Sequence, residues 1–540
     1  MKPFLFARIS FLFLALSLSY VVNCQQKAEV SNCITTVNNL YDIRELIPLA
    51  NGNSLQIRLK HGLGKAAVVI EKLNDSLRVI DKRQIVLRGD FINFFTYDFK
   101  DIEVLVNDDY CYLLLCERNK EVLSLHASAI QIANLEDLSE SRIIAKMNKG
   151  KIYNTNIRQP FDGYFSAILD KYANLMITSV ESREDVFKKK TSKKELEVKV
   201  CHAFFDCELN RLWETSERQS YFSEFEILPG AINSDGHYFF LTKNSPADIS
   251  YRYNFVLVVL EASTGEVLNR TRIISSENRY VNEIAVFNSL HHTYLAGSYY
   301  RENHRASSGI LIGKLDLSED LGDSINLTFH DYSTEEIIEA SYFNSSEIAK
   351  IMSKDNLAEI PHFTVENVIE IENAPLAVGR FITKKASHHF RHQYFENFEG
   401  RNRDVGNKES LSGGTLGLFQ FNEELNYEWG KFVCRSLYLP VGYMKTISLI
   451  ENNKFHLIYA DNTSSSVNEK YPVHSSKNLS LFRLSLNPTE GSPLEVTSLK
   501  TSKDFSFMLN SGENSFRNNA VIFQTIKRQE DCIRICRIDL

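Results

Sequence analysis

The feature that most constrains what this chain can fold into is a recurring pair of apolar strands joined by a tight polar turn. The clearest copy runs over 253–261, crosses Ala262-Ser-Thr-Gly-Glu266, and returns over 267–274. The same pattern recurs at 65–73 with 78–87, 128–135 with 142–147, 196–207 with 212–217, 309–317 with 324–332, 415–421 with 427–433, and 479–486 with 494–499. Residues 532–540 form an eighth first member without a follower. A second pair precedes these units: 231–241 folds across Asn233-Ser-Asp-Gly236, 284–287 leads into 293–298, and 446–450 leads into 455–459. Self-similarity at a period of roughly 50–70 residues is the mark of a repeat architecture.

Each unit reads as four antiparallel strands that cannot bury both faces alone, so the units must stack on one another. The expectation is an all-β chain: a β-propeller of about eight four-stranded blades, with seven blades and a terminal hairpin as the alternative. The last blade lacks a fourth strand, and 33–37 stands unassigned ahead of the first complete blade. That N-terminal strand is expected to close the ring beside 532–540, since closure removes open sheet edges. One interval swells, between 309 and 415. Part of it, 333–354, reads as a short helical insertion, with Ser333 and Glu336 forming a capping box ahead of Ile337, Ile338, Ile348 and Ile351. The rest is a long loop over 384–412. With 35 Phe and 24 Tyr against two Trp, the aromatic content suits pleated surfaces.

The N-terminus carries Lys2 and Arg8 before an uncharged apolar run over 9–22, too short to span a bilayer and suited to a signal-peptide core. Residues 1–24 are therefore expected to be removed, leaving 25–540 as one exported domain in the periplasm, at the cell surface or outside the cell. A lipid anchor on Cys24 is the less favoured alternative, because Asn23 is a poor residue before such a cysteine. No later segment reaches about 18 uninterrupted apolar residues, so no membrane span is expected in the mature chain. Losing Lys2 and Arg8 takes the formal charge from −7 to −9, which gives no general reason to expect nucleic acid.

Nine cysteines occur, at 24, 33, 111, 116, 201, 207, 434, 532 and 536. Their spacing matches no zinc pattern, and most sit in apolar runs where a buried thiol is the common state. Cys532 and Cys536 share one strand about 13 Å apart, out of disulfide reach. If 33–37 closes the ring, Cys33 is expected near one of them.

Three stretches carry a resemblance: Ser234-Asp-Gly-His-Tyr238, Leu295-Ala-Gly-Ser-Tyr299, and Phe455-His-Leu-Ile-Tyr-Ala-Asp-Asn462, which follows the strand bearing Trp429. In them the chain resembles exported β-propeller proteins of Bacteroidetes bacteria, over roughly 160–540. The resemblance implies fold and export. It supplies no catalytic residues.

Chemistry is sparse. Asn233-Ser-Asp-Gly236 is superficially like the Asp-box turn of sialidase propellers, but it lacks the following Thr and Trp and has no sister copies, so a plain hairpin turn is expected. Gly413-Gly414 is similar to a kelch glycine pair but occurs once, which favours a bulge or turn. No G-x-S-x-G or H-E-x-x-H motif is present. His388, His389 and His392 form a cluster in which the outer two would share a helix face, but no third ligand accompanies them, so no metal and no cofactor is expected.

The second-to-third strand connections are long: 181–195, 243–252, 299–308, 384–412 and 462–477. Two of them, 181–195 and 384–412, each hold six basic and four acidic residues. The candidate binding residues on this basic face are Lys188, Lys189, Lys190, Arg301, His304, Arg305, His388, His389, Arg391, His392, Tyr394 and Arg401. The leading expectation is a non-catalytic binding or scaffold protein of the cell envelope, taking a protein segment or an anionic glycan. The alternative is an envelope enzyme, polysaccharide-acting among other chemistries, with its site at the channel mouth.

Overall fold

The computed structural model describes strands and tight turns between residues 28 and 539. Residues 1–27 lie outside the described residues, as do the segments 88–101, 149–164, 183–195, 245–252, 302–307, 316–324, 337–361, 386–409, 434–446, 463–478 and 509–515, and several shorter joins.

The described residues are all-β apart from one helical position, Glu336. After β1 (Ala28–Val30) and β2 (Thr35–Thr36) come seven four-stranded antiparallel sheets, each a simple meander as in a propeller blade. The first holds β3 (Tyr41–Pro48), β4 (Ser54–Gly62), β5 (Lys65–Leu73) and β6 (Val79–Leu87). The second holds β7 (Ile102–Val106), β8 (Tyr110–Arg118), β9 (Val122–Gln131) and β10 (Glu136–Asn148). The third holds β11 (Phe165–Leu169), β12 (Leu175–Ser182), β13 (Leu196–Phe205) and β14 (Arg211–Tyr221). The fourth holds β15 (Phe225–Ile232), β16 (His237–Asn244), β17 (Asn254–Glu261) and β18 (Val267–Ile273). The fifth holds β19 (Arg279–Asn288), β20 (Thr293–Arg301), β21 (Gly309–Leu315) and β22 (Thr328–Asp331). The sixth holds β23 (His362–Ile371), β24 (Ala374–Lys385), β25 (Ser410–Phe421) and β26 (Tyr427–Val433). The seventh holds β27 (Ile447–Glu451), β28 (Lys454–Asn462), β29 (Leu479–Leu486) and β30 (Pro493–Thr501). A terminal sheet of different make-up combines β31 (Phe505–Met508), β32 (Phe516–Arg517), β33 (Ala520–Lys527) and β34 (Cys532–Asp539) with the two N-terminal strands.

Pleating sends successive side chains to opposite faces, so the second to sixth sheets each feed two cores. On β12, Leu175 and Ile177 join Tyr112, Leu114 and Leu125 of the second sheet. Met176 between them joins Tyr238, Phe240 and Val258 of the fourth. The same alternation continues with Ile57 and Leu113, Leu257 and Leu311, Ile310 and Phe419, and Leu418 and Leu457. Each fully buried Leu or Phe in these layers contributes about 1.5–3 kcal/mol.

The turns repeat more strictly than their sequences. Asn74, Asp170, Asp206, Asn233 and Asn422 each accept, through a side-chain oxygen, the backbone N–H four residues on, at 2.7–2.9 Å. The residue three positions on has a positive φ in every case: Leu77, Ala173, Leu209, Gly236 and Leu425. Asn233-Ser-Asp-Gly236 is thus a hairpin turn, as expected, but not a solitary one. It has four conformational sisters in which Leu or Ala stands where glycine is usual. A left-handed leucine costs about 1–2 kcal/mol, and burial offsets it: Leu77, Leu209 and Leu425 lie in the cores.

Bulges repeat as well. In the third-to-fourth pairing one residue is left over near the start of the outer strand: Ile80, Leu212, Leu268, Glu428 and Leu494. Ile80, Leu212 and Leu268 are 52%, 55% and 46% exposed. First strands bulge at Arg44, Asn282 and Glu366. A glycine on the second strand makes room beside two of these bulges. A Cβ on Gly297 would stand 1.9 Å from the carbonyl oxygen of Glu283, and one on Gly379 would stand 2.3 Å from that of Thr364.

The two tryptophans share one task. Trp213 of β14 lies against Gly265 in the β17–β18 turn, and Trp429 of β26 lies against Gly491 in the β29–β30 turn, each ring about where a Cβ would sit. Each ties an outer strand to the hairpin turn of the next sheet.

Several expectations need adjustment. The strand expected at 128–135 is β9, which begins at Val122. Its apolar run continues through the turn 132–135, closed by the left-handed Leu135. The strand expected at 324–332 pairs only over Thr328–Asp331. Gly413 and Gly414 do sit at a register shift, opposite the step from Arg380 to Ile382. Ser333 and Glu336 form the reciprocal capping box, Ser333 N–H to Glu336 Oε2 at 2.8 Å and Glu336 N–H to Ser333 Oγ at 3.1 Å; the rest of the expected helix lies outside the described residues. At the N-terminus β1 pairs with Cys536–Ile538 and β2 with Cys532 and Ile533. Cys33 itself lies outside the described residues. Cys111 is a free, fully buried thiol, its pKa pushed up to about 12 by burial.

Candidate functional site

In a four-stranded meander the second-to-third connection and the exit to the next sheet leave from the same end. Segments 183–195, 245–252, 302–307, 386–409 and 463–478 are connections of this type. Of the candidate binding residues, Arg301 is described. Lys188, Lys189, Lys190, His304, Arg305, His388, His389, Arg391, His392, Tyr394 and Arg401 lie outside the described residues.

Arg301 belongs to a cluster that the sequence did not reveal. Asp331, the last residue of β22, receives Arg301 Nη2 and Arg279 Nη2 on one oxygen, each at 2.7 Å, and the Tyr299 hydroxyl on the other. Arg279 lies 5.7 Å over the Tyr299 ring and 5.4 Å over Phe329, a stacked cation. The contact reaches across β21 because residue 309 is glycine. A Cβ there would come within 2.5 Å of the Tyr299 hydroxyl and 2.1 Å of the His330 carbonyl oxygen. Burial raises the Asp331 pKa, but the Tyr299, Arg279 and Arg301 hydrogen bonds more than offset this and hold it below the usual range. Two guanidinium groups on one carboxylate leave an excess positive charge. Arg301 is half exposed, and Arg279 about a third.

The same end of the neighbouring fourth sheet carries Lys243, stacked 4.0 Å over Tyr253 and 3.6 Å from Glu226. Arg272 there donates to Asn254. Strand ends in these two sheets therefore present fixed cations on aromatic surfaces. Only pairwise convergence across strands reveals this. Arg279 and Asp331 stand 52 residues apart, in runs with no motif.

Other polar groups are tied into the sheets. His202 is buried, hydrogen-bonded through Nδ1 to Thr178 at 3.0 Å, and burial, aided by the Arg270 charge, lowers its pKa to about 3. Glu336 receives His330 and the Tyr427 hydroxyl, with the His330 and Tyr427 rings stacked at 3.5 Å. Glu370 receives the His291 N–H at 2.9 Å and the His292 ring. For Glu370 burial acts upward, and these two histidine contacts outweigh it, so the carboxyl lies below its ordinary pKa.

A depressed carboxyl contributes stability above the ordinary range that is lost as pH falls through it. Glu370→Gln should therefore lower stability at pH 7 by about 1–3 kcal/mol. The deficit should shrink below about pH 4, as read from urea midpoints at the two pH values.

Among the described residues no group of three or more His, Cys, Asp or Glu could hold a metal ion. Nor is any helix there long and apolar enough to cross a membrane.

No protein-family model and no curated protein matches the chain. Solved structures with a similar course include polysaccharide lyase Uly1, at 9% identity over 81% of this chain and 89% of that one, with a TM-score of 0.39. Prolyl oligopeptidase B from Galerina marginata is 9% identical over 92% of this chain, which spans 56% of that longer one, with a TM-score of 0.37. Synechocystis apocarotenoid oxygenase is 10% identical over 89% and 95%, with a TM-score of 0.34. At these values the likenesses bear on no activity, and the reading of the chain rests on its own residues.

Proposed function

We propose that the chain is an eight-bladed propeller, closed by β1 and β2 against β34, that acts as an exported, non-catalytic binding scaffold of the cell envelope. Six successive cores link the seven four-stranded sheets. The terminal sheet touches the seventh through β31 and β29 and the first through β33 and β3. Neighbouring first strands also touch, β11 with β15, β15 with β19, β19 with β23 and β23 with β27, which fits innermost strands around a channel.

The observation that carries the function is the Arg279–Arg301–Asp331–Tyr299 cluster at the long-loop end of the fifth sheet. Fixed cations lose little rotamer freedom on binding, so they suit an acidic partner. The connections 183–195 and 386–409, which join second to third strands, are rich in Lys and Arg.

The test replaces Lys188, Lys189, Lys190, Arg391 and Arg401 with Ser and measures binding to an immobilised acidic peptide and an immobilised anionic polysaccharide. Capture of one of them should fall at least tenfold and weaken with salt. Stability should stay within about 0.5 kcal/mol of the parent. Unchanged capture would move the site off this face.

A further inference from the structure

The first sheet turns two unlike faces to its neighbours. Leu55, Ile57, Val68 and Ile70 point toward the second sheet and build an apolar core with it. The opposite face carries Ser54, Gln56, Arg58 and Glu71, all at most 6% exposed, among the buried apolar side chains of Leu46, Val69 and Leu73. It is the face toward the terminal sheet, because β3 touches β33 and Arg537 of β34 donates to the Gly52 carbonyl at 2.7 Å. Gln56 and Glu71 are cross-strand partners. Glu71 binds Arg58 at 2.6 Å and Lys82 at 2.8 Å through Oε1. Its Oε2, both amide atoms of Gln56 and the Ser54 hydroxyl have no hydrogen-bond partner.

A buried polar group without a partner is costly. The strands that clasp the terminal sheet are also short, three residues in β1 and two in β2. On the reading that the ring closes there, we infer that the junction between the terminal and first sheets is a hydrated polar seam at which the propeller opens first. Ring opening at the seam, rather than strand-by-strand fraying of the outer blades, is then the lowest-energy excursion of the fold. Water entering it satisfies Gln56, Ser54 and Glu71.

Hydrogen exchange of the full chain, read by mass spectrometry at peptide resolution, tests this. Amides of β1, β2, β33 and β34 should exchange together, at least tenfold faster than those of β12, β13, β16 and β17. Gln56→Met, which removes the unpaired amide at similar volume, should slow exchange of that group at least threefold and leave β12–β17 unchanged. Exchange of β1, β2, β33 and β34 as slow as that of β12–β17, or unaffected by Gln56→Met, would overturn the seam. Exchange of β1 and β2 at the rate of an unfolded peptide while β33 and β34 stay protected would instead show that the N-terminal strands do not close the ring. That outcome removes the closure reading and the seam with it.

Discussion

Gly297→Ala should be the most damaging methyl group that can be added to the described part of this protein. The new Cβ would fall 1.9 Å from the Glu283 carbonyl oxygen and 2.7 Å from the Ile284 Cα. Both neighbours are backbone atoms of the first strand at its bulge, so no side chain can swing aside. Relief requires β19 and β20 to part, which breaks the pairing of Ile284 with Gly297. A loss of about 3 kcal/mol or more is expected. Gly52→Ala serves as the contrast: its φ of +80° disfavours alanine, but nothing lies within 4 Å of the new atom. Its loss should be about 1 kcal/mol. Thermal and urea midpoints of the two variants would separate overlap from backbone preference, and equal losses would count against the bulge geometry.

Trp213→Ala should rank second, at about 3 kcal/mol. The ring stacks on Phe204 at 5.7 Å, and its N–H donates to the Ala262 carbonyl at 2.8 Å, joining the third sheet to the fourth. Gly265→Ala should be nearly as harmful alone, since its Cβ would enter that ring at 2.5 Å and its φ is +75°. With Trp213 already alanine, only the φ penalty of about 1 kcal/mol remains. A coupling of about 2 kcal/mol is thus expected from the double-mutant cycle. The second tryptophan makes a sharper comparison. Trp429 holds the same position over Gly491, but its indole nitrogen is buried without a partner. Trp429→Phe should be neutral or mildly stabilising, whereas Trp213→Phe leaves the Ala262 carbonyl unpaired and costs about 1–2 kcal/mol. Equal effects of the two phenylalanine variants would refute this assignment of the indole hydrogen bonds.

The strand pairs and their turns were legible in the sequence because both are local. Alternation along 253–261 and the Ser-Thr-Gly turn after it need no distant partner to be recognised. The sister turns at Asn74, Asp206 and Asn422 escaped notice for a physical reason. Their left-handed position holds leucine, a residue that composition assigns to strands, and only packing keeps it there. The bulges at Asn282 and Glu366 are backbone events with no fixed residue type. Arg301 was legible from its place in a basic connection. Its partners Arg279, Tyr299 and Asp331 were not, because they meet only after β19 to β22 are laid side by side and Gly309 lets them cross.

The leftover residues on the outer strands bear on how this protein survives at high concentration. A strand at the rim of a sheet offers unpaired amides to any other chain, and apolar residues such as Ile80, Leu212 and Leu268 would strengthen such a pairing. Each of them sits at the bulge itself, where the ladder is out of step. A foreign strand zipping along the rim would lose register there after one or two bonds. Ile80, Leu212 and Leu268 thus sit on the stretch of edge least able to template an aggregate.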